Sequence, residues 1–191
     1  MVGAAPSFSE AHLVRALLML SSGRVGRKNL VKILGVGEGS VRTIIKRLKG
    51  EGLIKSSKQG HELTQKGKET VENYLNKFSM PGEFKADDLS LHPGEESSSV
   101  IVYGAADRIS NGLEQRDIAR DAGATSIAIL LYKEGILEFP TPEARLSQFP
   151  DSEKELEKME LREGDIVVIS FGKSRASAEN GAVAVALQLM N

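Results

Sequence analysis

Leu13, Leu17 and Leu20 recur at the spacing of one helix face. Ser7, with Glu10 three residues on, has the form of a capping box, so a helix is predicted from Ser7 to about Ser22. Leu30 and Leu34 mark a second helix over 27–34, closed by Gly35, a residue suited to the left-handed helix cap. Val41, Ile44, Ile45 and Leu48 form the apolar stripe of a third over 38–50, which turns Ser40, Arg42, Thr43, Lys46, Arg47 and Lys49 to the other face. Residues 53–57 and 61–63 flank the polar turn Lys58-Gln59-Gly60 and read as a hairpin. Thr64 then caps a fourth helix running through Val71, Leu75 and Phe78.

The pattern breaks over 80–98, where Pro, Gly, Ser and acidic residues without apolar periodicity predict a linker between domains at 1–79 and 99–191. Beyond it, strands are predicted at 99–103, 126–132, 136–139 and 165–171, with helices at 110–122, 152–159 and 177–190. The order β-α-β-β-α-β plus one helix is that of a ferredoxin-like sandwich with its helices on one face, which makes the chain α+β.

Charge changes this picture. Residues 1–79 carry 14 Lys+Arg against 6 Asp+Glu, a net +8, whereas residues 80–191 carry 11 against 20, a net −9; the whole-chain net of −1 conceals the split. A basic first half suits nucleic acid and the acidic second half a different partner. The absence of cysteine removes disulfides, thiolate metal sites and thiol nucleophiles. No apolar run long enough for a membrane span and no signal peptide is present, so the expectation is a soluble cytoplasmic protein.

The run Leu34-Gly35-Val36-Gly37-Glu38-Gly39-Ser40-Val41-Arg42-Thr43, continuing through Lys46-Arg47-Leu48-Lys49 to Glu51-Gly52-Leu53-Ile54, resembles the recognition segment of winged-helix transcriptional regulators. Leu63-Thr64-Gln65-Lys66-Gly67 is similar to the start of their last helix. The resemblance covers residues 8–78 and implies a winged helix-turn-helix in front of the sandwich domain. Winged helix plus acidic α/β domain also resembles a family of functionally uncharacterised archaeal winged-helix proteins. With the third helix in the major groove, Ser40, Arg42, Thr43 and Lys46 would face base edges, Arg47, Lys49, Lys55 and Lys58 would take phosphates, and the basic Arg27 and Lys28 join them as DNA-binding residues. Double-stranded DNA is the expected partner, and a homodimer is expected because one helix reads few base pairs. The fourth helix, through Val71, Tyr74 and Phe78, and the open sheet edge are the expected contacts. An enzyme with its active site in the C-terminal domain, or a protein–protein adaptor, are the alternatives.

Asp107, Arg108, Asn111, Glu114 and Arg116 crowd a strand-to-helix junction, and the sandwich brings Lys133 near them. They are the candidate site for a small polar effector. Phe171-Gly172-Lys173-Ser174 lacks the first glycine of a phosphate-binding loop and reads as an ordinary strand-to-helix turn. His12, His61 and His92 have no metal-ligand spacing, and no motif points to a cofactor or to catalysis.

Overall fold

The computed structural model describes residues 8–190. The chain divides into two compact units, Met1–Leu75 and Asn76–Asn191. No described helix is long and apolar enough to cross a membrane.

In the first unit, α1 (Glu10–Ser21), α2 (Arg27–Leu34) and α3 (Glu38–Gly50) precede the antiparallel strands β1 (Ile54–Ser57) and β2 (Gly60–Leu63) and then α4 (Gln65–Leu75). The cap expected on Ser7 lies outside the described residues; Ser9 is the observed N-cap of α1. Leu13, Val14, Leu17, Leu18 and Leu20 are all buried, so α1 presents a wide apolar face. Arg15 is buried among them and donates from Nη2 to the Ile33 carbonyl at 2.9 Å, tying α1 to the end of α2. Val25 and His61 exchange backbone hydrogen bonds at 3.0 and 2.9 Å, which adds the chain before α2 to the hairpin as a third, one-residue strand.

The Thr64-x-x-Gly67 step has a packing reason. Thr64 Oγ1 accepts the Gly67 N–H at 3.1 Å, the expected cap, while Thr64 N–H donates to the Leu53 carbonyl at 3.0 Å. A Cβ on Gly67 would collide with that carbonyl, so α4 can start so close to β1 only on a glycine. The helix ends at Leu75, short of Phe78, which is fully buried in the second unit and bridges Val102. Phe78 and the buried Val71 are thus not available as the dimer contact expected of them.

The second unit holds β3 (Glu96–Val102), α5 (Leu113–Asp121), β4 (Ser126–Lys133), β5 (Ile136–Glu138), α6 (Pro150–Leu156), β6 (Ile166–Gly172) and α7 (Arg175–Leu189), with 3-10 turns at Ala106–Arg108 and Leu146–Gln148. The sheet is antiparallel in the order β3-β6-β4-β5. That order corrects the expected ferredoxin-like pairing: the last strand, β6, lies between β3 and β4, and the β4–β5 hairpin occupies one edge. Burial accounts for the choice. Every residue of β6 is buried, which suits a central strand, whereas β5 is three residues long with Ile136 65% exposed.

Both faces of the sheet are covered, not one. Val167, Ile169 and Phe171 point to a core with Phe84, Ala86, Leu130 and Leu156 of α6. The opposite face carries α7, packed on β3 and β6 with α5 alongside. Ala178, Ala182 and Ala186 of α7 have no exposed surface, and Gly181 lies against Ser170 and Ala124. The alanine bias of the final helix is therefore close packing on a sheet.

The stretch expected as a linker, 80–98, is built into this unit. Phe84 and Ala86 are core residues, β3 begins at Glu96, and Ser79, Gly82 and Lys77 hydrogen-bond to Ile101, Ser99 and Tyr103, covering the outer edge of β3.

Candidate nucleic-acid interface

The buried stripe of α3 fixes what the helix shows to solvent. Arg42, Thr43, Lys46, Arg47 and Lys49 are exposed and Ser40 is half-buried. The exposed cations are of two kinds. Arg42 is paired with Glu38 one turn earlier at 3.2 Å. Arg47 is held by Glu51 at 2.9 Å and Glu10 at 3.1 Å, and its guanidinium is pushed further above its ordinary range by the Glu51 hydrogen bond first and by Glu10. Among the described residues no carboxylate lies within ion-pair distance of Lys46 or Lys49. Thr43 turns its hydroxyl back to the Gly39 carbonyl at 3.1 Å.

Around α3 the same division recurs. Lys55 is paired with Glu62 at 3.2 Å, and Glu62 also accepts from Arg24 at 2.7 Å, which holds its carboxyl below the usual range. Arg27 and Lys28 in the first turn of α2 and Lys58 at the hairpin tip are exposed, with no carboxylate partner among the described residues.

Two of these unpaired charges act on His61. Its imidazole is held below its ordinary pKa by burial first, then by Lys49 and by Arg27. One side chain of the hairpin thus feels the end of α3 and the start of α2 together. Lys49 and Arg27 were expected at the interface, whereas His61, whose ring meets Ser56 Oγ at 2.8 Å, was weighed in the sequence as a metal ligand and set aside. Nothing local in the sequence marks it, because its neighbours come from elements far apart in the chain.

The six residues proposed for an effector do not form one site. Lys133 reaches Asp107 at 3.3 Å, the approach expected of it. Arg108 donates instead to the Leu189 carbonyl. Asn111 Oδ1 accepts the Leu113 N–H at 3.1 Å, and Glu114 stands exposed on α5. Asn111 and Arg116 line a pocket of about 330 Å³ whose apolar wall includes Phe139 and Phe149. At Gly172-Lys173-Ser174, Ser174 Oγ accepts the Ser177 N–H at 3.2 Å as the N-cap of α7, the turn that was expected there.

The family described as a domain of unknown function, DUF4443, matches residues 93–189, just over half of the chain. The family of PH0730-like N-terminal domains matches residues 12–69. Among solved structures, the hypothetical protein PH0730 from Pyrococcus horikoshii OT3 is similar over 95% of this chain and 93% of its own, at a TM-score of 0.77 and 29% sequence identity. No curated protein matches the chain. Matched through its second unit by one uncharacterised family and along nearly its whole length by an archaeal protein, the chain belongs to the DUF4443 family.

Proposed function

We propose that the first unit is a winged helix-turn-helix that binds double-stranded DNA, with α3 in the major groove and the β1–β2 hairpin as its wing. On this reading the second unit senses a small ligand and the protein is a transcriptional regulator acting as a homodimer. One observation carries the reading: Arg27, Lys28, Lys46, Lys49 and Lys58 are exposed cations without carboxylate partners among the described residues, and the charges of two of them, Arg27 of α2 and Lys49 of α3, both act on His61 of the hairpin. A solvated surface normally interleaves its signs, as Arg42, Arg47 and Lys55 do. Cations left uncompensated on one element and its neighbours support a role as phosphate contacts. The buried Val71 and Phe78 leave the short edge strand β5 as the more accessible dimer contact.

Retention of random duplex DNA at increasing salt tests this. Neutralising about five phosphates gives a log–log slope near −4.5, and replacing Lys46 and Lys49 together by Ala is expected to lower its magnitude by about 2. Arg42→Ala is expected to do less than Lys46→Ala, because Arg42 is already paired with Glu38. Retention absent at low salt, or unchanged in the double variant, would remove the assignment of α3.

A further inference from the structure

The strand β5 pairs only with Leu131–Lys133 of β4, and Pro140 then carries the chain away. The edge of β4 from Ile127 to Ile129 is left without a strand partner among the described residues. Tyr132 spends its N–H on Asp165, on the β6 side, at 2.9 Å. The two-residue repeat of a strand then turns the backbone N–H and C=O of Ile127 and Ile129 to the open side. The 330 Å³ pocket opens over this gap. The apolar part of its wall holds Ile127, Ile129, Phe139 and Phe149, and the two phenylalanine rings meet edge to face at 5.8 Å.

Two opposite charges stand at the same pocket. Arg116 reaches Asp117 only at 3.9 Å, and that carboxylate lies closer to Arg120, at 3.0 Å. Glu143 has no cation within ion-pair distance among the described residues, and the Thr141 hydroxyl and its own backbone N–H hold its carboxyl below the usual range, so it is ionised at neutral pH. Arg116 and Glu143 line one cavity yet form no ion pair with each other. A ligand that carries both signs and an apolar group complements this lining.

We propose that this pocket binds a free apolar α-amino acid, its carboxylate on Arg116, its ammonium on Glu143 and its side chain in the Ile127–Phe139–Phe149 cleft. The volume lies at the small end of the ligand-holding range, which suits a single amino acid. The strand edge at Ile127, which is half-buried, offers the main-chain groups of the same ligand a further partner, as a strand edge does for a peptide. This inference deepens the sensing half of the proposed function and stands independently of DNA binding.

Calorimetric titration of the full chain tests it with L-leucine, L-phenylalanine, L-leucinamide, which lacks the carboxylate, and 4-methylpentanoate, which lacks the ammonium. At least one of the two amino acids is expected to bind, and the two truncated analogues to bind at least about tenfold more weakly. Arg116→Gln and Glu143→Gln, both at exposed positions, are each expected to weaken amino-acid binding about tenfold without changing the melting temperature. Equal binding of L-leucine and 4-methylpentanoate, unchanged binding in either variant, or no heat with either amino acid up to about 10 mM would overturn the proposal. Retention of DNA by the same samples is read separately. A chain that binds L-leucine and ignores DNA sinks the regulator reading and leaves the pocket, and the converse result sinks only the pocket.

Discussion

His12 occupies the third position of α1, where an acid usually completes the cap, and its Nδ1 accepts the Ser9 N–H at 3.0 Å. An imidazole nitrogen accepts only while it is unprotonated. Burial, with Arg15 adding to it, lowers the ring's pKa from 6.5 to about 4. The folded chain thus resists a proton that the unfolded chain binds. The stability tied to the neutral ring is complete above pH 6.5 and is lost as the pH falls from there towards about 4. His61, also held below its ordinary value, adds to the loss with the same sign. His12→Gln keeps an acceptor for Ser9 and cannot titrate. Urea unfolding across that window is expected to show a shallower acid-side decline in the variant than in the parent, and parallel curves would refute the assignment. At the other end of the unit Gly67 tests packing without charge. An Ala there must push α4 off the Leu53 carbonyl, so Gly67→Ala is expected to destabilise by about 2–3 kcal/mol in the same measurement.

At the scale of elements, the parts that the sequence pattern located best are those whose signals are local. The second and third helices run over the predicted 27–34 and 38–50, because a left-handed glycine at Gly35 and an apolar stripe act within a turn or two of the chain. The fifth helix starts at Leu113 and not at residue 110, because the chain first makes a 3-10 turn and then takes Gly112 into the left-handed region. The sixth helix shows what no local signal could give. Its first N–H groups, on Asp151 and Ser152, are capped at 3.0 and 3.1 Å by the carboxylate of Asp88, from the segment that composition alone made a linker. Asp88 was acidic and flanked by another acid, and its partner lies 63 residues on. Asp88→Ala is therefore expected to cost about 1 kcal/mol and to expose α6 selectively, seen as faster amide exchange over 150–156. The candidate interface divides in the same way. The exposed face of α3 was legible from its stripe, but which of its cations keep a free charge depends on Glu10, Glu38 and Glu51, and the pocket at Arg116 depends on where β5 stops.

For the whole molecule, the opposite charges of the two halves mark a real division of the chain, and its position follows from contacts and not from composition. The units separate at Leu75 and Asn76, so Lys77 to Gly82 belong with the sheet they flank. Phe78 has no exposed surface, Tyr103 N–H donates to the Lys77 carbonyl at 2.9 Å, and Ser79 N–H donates to the Ile101 carbonyl at 2.8 Å. Cutting at the composition boundary removes an aromatic core residue together with two ladder hydrogen bonds and uncovers the β3 edge. Loss of a buried Phe side chain alone costs about 3–5 kcal/mol, a large share of a domain's usual 5–15 kcal/mol. A fragment of residues 76–191 is expected to unfold cooperatively in urea, and one of residues 80–191 to melt at much lower denaturant or to self-associate through the bared edge. Phe78→Ala in the full chain separates these effects, since it removes the ring and keeps the backbone pairing: it should lower the unfolding midpoint of the second unit without causing association. If the two fragments were equally stable, the segment between the charged halves would be the tether its composition suggests, and the boundary would move back to residue 79.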